Sequence, residues 1–402
     1  MNKFLFSGLK VLDLGTVIAA PVAATILADF GADVIKVEPP GEGDLLRMLS
    51  DIPTTPDADN NFFWHMDARN KRSITLNLKT TEGMEILHRL IKQCDVFITN
   101  QPFPVRRSLK LTYDDIKPLK PDMIYASLSA FGEKGPDRDK KAFDLYAYWA
   151  RSGLMDLVRS PGSTPSQALP GMGDHPTSVA LYASIVTALL HRERSGEGAM
   201  VHTSLLANGL WSAASIAQGA LAGGNMDDYR QTNSVSGATG RVYATSDGRW
   251  MQLTMVRTEE EMFLLLAATD LIHLLEDPRF ATPEGWLQYK GELADYIEEV
   301  ILTKSSDEWL VTFKSMGVPA ERVCLLDEAI EDEQIIINEM VVPLNDDTID
   351  IDLIVNHPLK ISSVPQVGPV RGPELGEHND EVLAELGYSA EQIKGFRDAD
   401  IF

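Results

Sequence analysis

One acidic residue stands where a carboxylate could act as a nucleophile. Asp174 lies in Pro170-Gly-Met-Gly-Asp174-His-Pro-Thr-Ser, a glycine-rich turn that runs directly into a long apolar stretch. Gly171 and Gly173 have no side chain, so a bulky substrate could approach the backbone, and glycine tolerates the positive φ such turns often need. Pro176 suits the first position of a helix. Val179 to Leu190 reads as its buried body, running to His191-Arg-Glu-Arg and Gly196. The positive end of that helix favours an ionised Asp174, and free backbone N–H groups beside it could stabilise an oxyanion. Covalent catalysis by a carboxylate needs that combination. An Asp or His that only caps a helix would look the same, so this segment alone leaves both readings open.

The elements around this turn alternate. Lys10-Val-Leu-Asp-Leu14 reads as a strand, Ala19 to Phe30 as a helix closed by Gly31, and Asp33 to Glu38 as a second strand. This βαβ unit implies a parallel sheet. Ser73 to Leu78 is a third strand, and the helix from Glu82 to Gln93 follows, with Ile86, Leu87, Leu90 and Ile91 on one face. Asp95 to Thr99 and Met123 to Leu128 complete a five-strand, Rossmann-like α/β pattern. The nucleotide fingerprint is missing, because the turn after the first strand reads Gly15-Thr-Val-Ile-Ala-Ala-Pro rather than Gly-x-Gly-x-x-Gly. A Walker A sequence is missing too.

Beyond residue 224 the style changes. Gly240 to Thr254 reads as a hairpin around Ser246-Asp-Gly, and helices follow at Glu259–Ala268, Gly291–Leu302 and Ser306–Met316. We expect a discontinuous large domain of residues 1–224 and 331–402 and a small α+β domain of 225–330. From His357 strand and helix should return.

Composition narrows the function classes. The 402 residues are 44 % hydrophobic and 24 % charged, ordinary for a soluble protein large enough for a sizeable core. The net charge of −23 is uneven: residues 1–160 hold 21 Lys and Arg against 21 Asp and Glu, and 161–402 hold 15 against 38. So acidic a chain is a poor general partner for nucleic acid or an anionic membrane, although its neutral first part can hold a basic pocket. The run from Met1 to Gly8 is too short for a signal peptide, and no apolar run reaches membrane-spanning length. Cys94 and Cys324 are far apart and lack companion ligands, so we expect no disulfide, no metal site and a cytoplasmic location.

Several separated segments together resemble the family III CoA-transferases, the group that includes carnitine CoA-transferase, formyl-CoA transferase and the α-methylacyl-CoA racemases. They are Gly8-Leu-Lys-Val-Leu-Asp-Leu, Ala28 to Glu38, Asn70-Lys-Arg-Ser-Ile, Ala130-Phe-Gly-Glu-Lys-Gly-Pro136, Gly171-Met-Gly-Asp174, Ser195-Gly-Glu-Gly, Gly317-Val-Pro-Ala and Leu375-Gly-Glu-His-Asn-Asp-Glu-Val-Leu. They cover nearly the whole chain in the family's order. The resemblance implies transfer of CoA from an acyl-CoA to a free carboxylic acid, with Asp174 passing through a mixed anhydride and an aspartyl-CoA thioester. It implies no ATP, metal or tightly bound cofactor. It also implies an interlocked-ring homodimer, and Ser234 to Arg241 is a loop flexible enough to cover a site.

The racemase branch needs a His before the Asp of the segment read here as Lys141-Ala-Phe143-Asp144, and Phe143 cannot move a proton. An acyl-CoA racemase or isomerase and a non-catalytic CoA-binding protein are the alternatives. By family correspondence CoA contacts Ile18, Ala19, Leu76, Asn77, Lys79, Asn100, Gln101 and the stretch from Lys141 to Asp144. Arg106 and Arg107 flank the family's phosphate-contacting position, whose strict counterpart is Ser108. Pro39 stands where relatives carry an adenine-stacking Arg, for which Arg47 or Arg72 would substitute. Phe6 to Val11, Ile18-Ala-Ala-Pro, Phe131 to Pro136 and Gly173-Asp-His resemble the branch that uses 2-hydroxyacids, which points to a medium-sized acid with an apolar body, with a dicarboxylate or a carnitine-type acid as the alternatives.

Overall fold

Runs of β-branched and aromatic residues, buried on both faces, build a parallel sheet here. The computed structural model describes residues 3–53, 55–253 and 256–402; Met1 and Asn2 of the N-terminal run and Thr254 of the hairpin lie outside the described residues. The sheet comprises β1 (Lys10–Asp13), β2 (Asp33–Glu38), β3 (Arg72–Thr75), β4 (Val96–Thr99), β5 (Ile124–Ser129) and β6 (Ala199–Ser204). All neighbours pair in parallel, in the order β3-β2-β1-β4-β5-β6. The sheet has six strands rather than the expected five. β6 escapes a sequence reading because only its last residue is buried, so its apolar pattern is weak.

Helices cover both faces, as a parallel sheet requires. Helix α1 (Ala19–Asp29) is buried throughout, and its Ala19, Ala20, Ala23 and Ala24 let a second helix approach closely. That partner is α3 (Asp174–Ser195), tied to it where Ser178 Oγ donates to the Ala19 carbonyl at 2.7 Å. Helix α2 (Thr81–Gln93) packs Ile86, Leu87, Leu90 and Ile91 on the other face against Phe97 and Tyr125. Helix α3 starts at Asp174, two residues before the Pro expected to open it, and ends at Gly196 with φ +76°.

The chain divides into a unit of residues 1–158, 165–217 and 336–402 and a second unit of 159–164 and 218–335. The second unit holds the antiparallel sheet β7 (Val242–Ala244), β8 (Trp250–Leu253) and β9 (Ala320–Arg322). Gly248, at φ +75°, supplies the left-handed residue of the hairpin turn. Helices α4 (Glu259–Ala268), α5 (Lys290–Ile301) and α6 (Ser306–Met316) bury Leu265, Ile297, Trp309 and Phe313 in its core. Back in the first unit, β10 (Val341–Pro343) pairs with β11 (Leu353–Val355), and α7 (Asn379–Glu385) and α8 (Ala390–Asp398) close the α2 face. The strand expected after His357 is not formed among the described residues. Nor is any described helix long and apolar enough to cross a membrane.

Candidate active site

A sheet of this order reverses its winding between β1 and β4, and ligands of such sheets bind beyond the strand C-termini at that point. A cleft of about 390 Å³ lies there, lined by residues 16–19 after β1, residues 100–103 after β4 and residues 128–130 at the end of β5. The first two loops are locked together. Thr16 N–H donates to Asn100 Oδ1 and Asn100 Nδ2 donates to the Thr16 carbonyl, both at 2.8 Å. Val17 sits in the left-handed region at φ 65°, costly for a β-branched residue. Asp44 holds it there by accepting from Val17 N–H and Thr16 Oγ1, each at 2.8 Å. Lys36, fully buried, bonds Asp44 at 2.6 Å and the Gly15 carbonyl at 2.9 Å. Burial alone would lower the Lys36 pKa, but Asp44 and Asp13 outweigh it and hold the ammonium charged.

Asp174 lines the same cleft from the first residue of α3. It does not cap the helix: Gly173 is the N-cap residue and no side chain bonds the first-turn N–H groups. The turn is fixed from below, where Asp144 Oδ2 accepts from Gly173 N–H at 3.1 Å. A Cβ at Gly173 would lie 2.6 Å from Tyr148 Cγ and 3.0 Å from Asp144 Cβ, so only glycine lets the turn seat. The free N–H groups expected beside the carboxylate are largely engaged. Met172 N–H bonds the Leu169 carbonyl, Gly173 N–H bonds Asp144, and His175 N–H bonds the Gly171 carbonyl.

The ionised state expected from the helix dipole is also overridden. Burial, then the charge of Asp144, push the Asp174 carboxyl up to about 7, against the pull of His175. The magnitudes agree: a helix N-terminus is worth typically 0.3–1 kcal/mol, whereas burying a carboxylate costs several. A buried carboxylate at an open cleft with a pKa near neutrality can attack an electrophile once ionised.

The cleft gathers only part of the expected contact set. Ile18, Ala19, Asn100, Gln101, Arg106 and Lys141 line it with Asp174. Arg106 is nearly spent within the protein, donating to Glu133 at 2.8 Å, Ser127 at 3.1 Å and the Gln101 carbonyl at 2.9 Å. Arg107 is exposed outside the lining, 3.8 Å from Asp139. Asp144 lies beneath the turn rather than in the cleft wall, its carboxylate used on Gly173 and Leu145 N–H.

Four further expected contacts lie outside that lining. Arg72 is engaged by Asp33, Glu381 and Glu385 at 2.7–2.9 Å. Leu76 is buried in the core under α2. Asn77 and Lys79 form the turn before α2, where Asn77 Oδ1 accepts from Lys79 N–H. Arg47, the other candidate for adenine, is bound to Glu38 and lies over Trp64.

The cleft adds residues that sequence reasoning passed over. Arg138 stacks 3.2 Å above the Phe103 ring, and Lys140 and Tyr146 line the wall beside it. The charge run Arg138-Asp-Lys-Lys141 was the available signal. Asp67 gave none: it meets the His175 ring at 3.2 Å across 108 residues of sequence.

The sequence model of CoA-transferase family III matches residues 6–379. The chain belongs to that family. It is an enzyme of the CoA-transferase type. It is 31 % identical over 398 residues to the (R)-2-hydroxy-4-methylpentanoate CoA-transferase of Clostridioides difficile, covering 99 % of each chain. It is 35 % identical to the formyl-CoA:oxalate CoA-transferase of Streptomyces avermitilis, covering 98 % of each. The crystal structure of a CaiB/BaiF family protein from Brucella suis superposes with a TM-score of 0.82 at 27 % identity, over 96 % of this chain and all of that one. The family III assignment and the parallel-sheet fold thus agree.

Proposed function

We propose that this family III CoA-transferase moves CoA from an acyl-CoA to a free carboxylic acid through covalent intermediates on Asp174. The single observation that carries the reading is a buried carboxylate, Asp174, on a glycine-rich turn that lines the switch-point cleft. Asp174 Oδ attacks the thioester carbonyl, the C–S bond breaks and CoA leaves as thiolate, giving an aspartyl–acyl anhydride. The thiolate then attacks the Asp174 carbonyl, releasing the donor acid and leaving an aspartyl-CoA thioester. The acceptor carboxylate displaces the thiolate from that thioester. The thiolate finally attacks the acceptor's carbonyl in the new anhydride, which restores the Asp174 carboxylate. No net proton or energy source is consumed.

Ile18, Ala19, Asn100, Gln101 and Lys141 would hold the CoA arm, with Arg138 and Lys140 as further cations for its phosphates. Phe143 lines the cleft where a racemase would need a proton-carrying His. The reading includes a cytoplasmic location and a homodimer; the exposed apolar side chains of Ile337, Leu353 and Val355 support the second of these.

We further infer an acceptor with an apolar body. The two relatives above act on acids as unlike as a branched hydroxyacid and oxalate, so identity does not choose between them. The apolar share of the lining supports this part of the reading: Ile18, Leu128, Ala142, Phe143 and Leu205 line the same cleft as Asp174. Burying a four-carbon side chain against it is worth about 3 kcal/mol, roughly 100-fold in kcat/KM. Acceptor competition should therefore rank 2-hydroxy-4-methylpentanoate and phenyllactate above oxalate and succinate by about that factor. Oxalate as the preferred acceptor would overturn this part of the proposal.

A further inference from the structure

The residue after Asp174 has no part in the covalent chemistry, yet its surroundings are unusual. His175 Nδ1 lies 3.0 Å from the Gly171 carbonyl oxygen, and Nε2 lies 3.2 Å from Asp67 Oδ1. A carbonyl and a carboxylate have no proton to give, so both contacts are hydrogen bonds only when both ring nitrogens carry hydrogen. The geometry therefore describes an imidazolium. Asp67 is buried, and its Oδ2 has no hydrogen-bond partner, a costly arrangement for a carboxylate without a cation beside it. The ring also lies against Gly171, which holds φ +83°; a Cβ there would come within 3.2 Å of the ring.

We propose that His175, as an imidazolium strapped between Asp67 and the Gly171 carbonyl, is a positioning residue that holds the glycine turn and keeps a positive charge beside the Asp174 carboxylate. The inference rests on the reading of Asp174 as nucleophile. The balance of charge makes such a cation useful. Asp174 faces Asp144 from beneath the turn and Asp67 from the segment before β3, both of which oppose its ionisation, and His175 alone of these neighbours favours it. His175 in turn faces Asp67 and Asp174. Burial works against the imidazolium, but Asp67 and the Gly171 carbonyl outweigh it and push the ring up to about 9. With Asp174 near 7, a window opens between about pH 7 and 9 in which the nucleophile is ionised and its strap charged.

The test is the pH profile of kcat and KM for the wild type, His175→Gln and Asp67→Asn, with a histidine-labelled NMR titration of the wild type. The wild type should give a bell with limbs near 7 and 9. His175→Gln should lose the alkaline limb, move the acid limb upward, and lower kcat about 100-fold with little change in the KM for acyl-CoA. Asp67→Asn should bring the alkaline limb down toward the ordinary histidine value of about 6.5, closing the window. A His175→Gln enzyme with wild-type kcat, or with the alkaline limb intact, would overturn the proposal. So would a His175 resonance that titrates at or below its ordinary value, a readout that needs no variant to fold. Hydroxylamine trapping on the wild type separates the two levels. A hydroxamate at Asp174 beside an unmoved pH profile defeats the strap alone, and its absence defeats the nucleophile reading and the strap with it.

Discussion

Asp174→Asn is expected to abolish CoA transfer and, near pH 8, to raise the melting temperature. The amide is isosteric and leaves Gly173 undisturbed, but it cannot form an anhydride. A loss of at least about 10⁴-fold is expected for a missing covalent centre. The stability effect follows from the carboxyl being raised from 3.8 to about 7 on folding. A group raised on folding contributes stability that is complete below its unfolded pKa and is lost as pH rises through the folded value. Above pH 7 the wild type therefore carries an ionised carboxylate that is worse off folded than unfolded. One pKa unit corresponds to 1.36 kcal/mol, so the penalty is at most about 4 kcal/mol. Removing it should raise Tm by about 2–5 °C near pH 8 and leave Tm unchanged near pH 4, where the group is protonated in the folded protein. Thermal unfolding at the two pH values, beside a transfer assay, checks both halves. An Asn variant that transfers CoA at more than about 1 % of the normal rate would contradict the chemical half.

Gly173→Ala should be the most damaging single-methyl change in the turn. Its backbone is not the obstacle, since φ −93° and ψ −27° suit any residue. The obstacle is space: the added Cβ meets Tyr148 Cγ at 2.6 Å and Tyr148 Cβ at 2.8 Å. Tyr148 cannot give way, because it is 4 % exposed within the core under α1 and its hydroxyl is held by Ser212 Oγ at 2.6 Å. The turn must move instead, which breaks the Gly173 N–H bond to Asp144 and shifts Asp174. Overpacking of this kind costs about 1–3 kcal/mol, and displacing a reacting atom by about 1 Å costs on the order of 100-fold in rate. Gly196→Ala is the control: it has open space but a left-handed φ, so it should lose about 1 kcal/mol and no activity. Equal kcat in Gly173→Ala and wild type would show that the seat of the turn does not govern the site.

The parts of this molecule that were legible in the sequence are those whose signal is local. The unit β1-α1-β2 could be read because Lys10 to Glu38 alternates a short apolar strand, an alanine-rich helix and a second strand, closed by Gly31 at φ +94°. The turn at Asp174 could be read because two glycines, an acid and an apolar helix stand in one stretch. β6 was missed because an edge strand with one buried residue is made by its pairing with β5. Nothing near Arg72 in the sequence reveals that Glu381 and Glu385, over 300 residues away, bond its guanidinium. The helix dipole was read correctly, but the larger cost of burying the carboxylate is a tertiary quantity that no local pattern contains. Asp67 and His175 likewise meet only through the fold.

The most direct measurement is intact-protein and peptide mass spectrometry after mixing the enzyme with a panel of acyl-CoAs, with and without hydroxylamine. Hydroxylamine attacks an aspartyl-CoA thioester at the Asp carbonyl, releases CoA and leaves a hydroxamate on the side chain. An acyl-CoA-dependent hydroxamate on Asp174, absent in Asp174→Asn, is the expected result. CoA transfer by an enzyme that never acquires that label, or that acquires it on another carboxylate, would contradict Asp174 as the covalent centre.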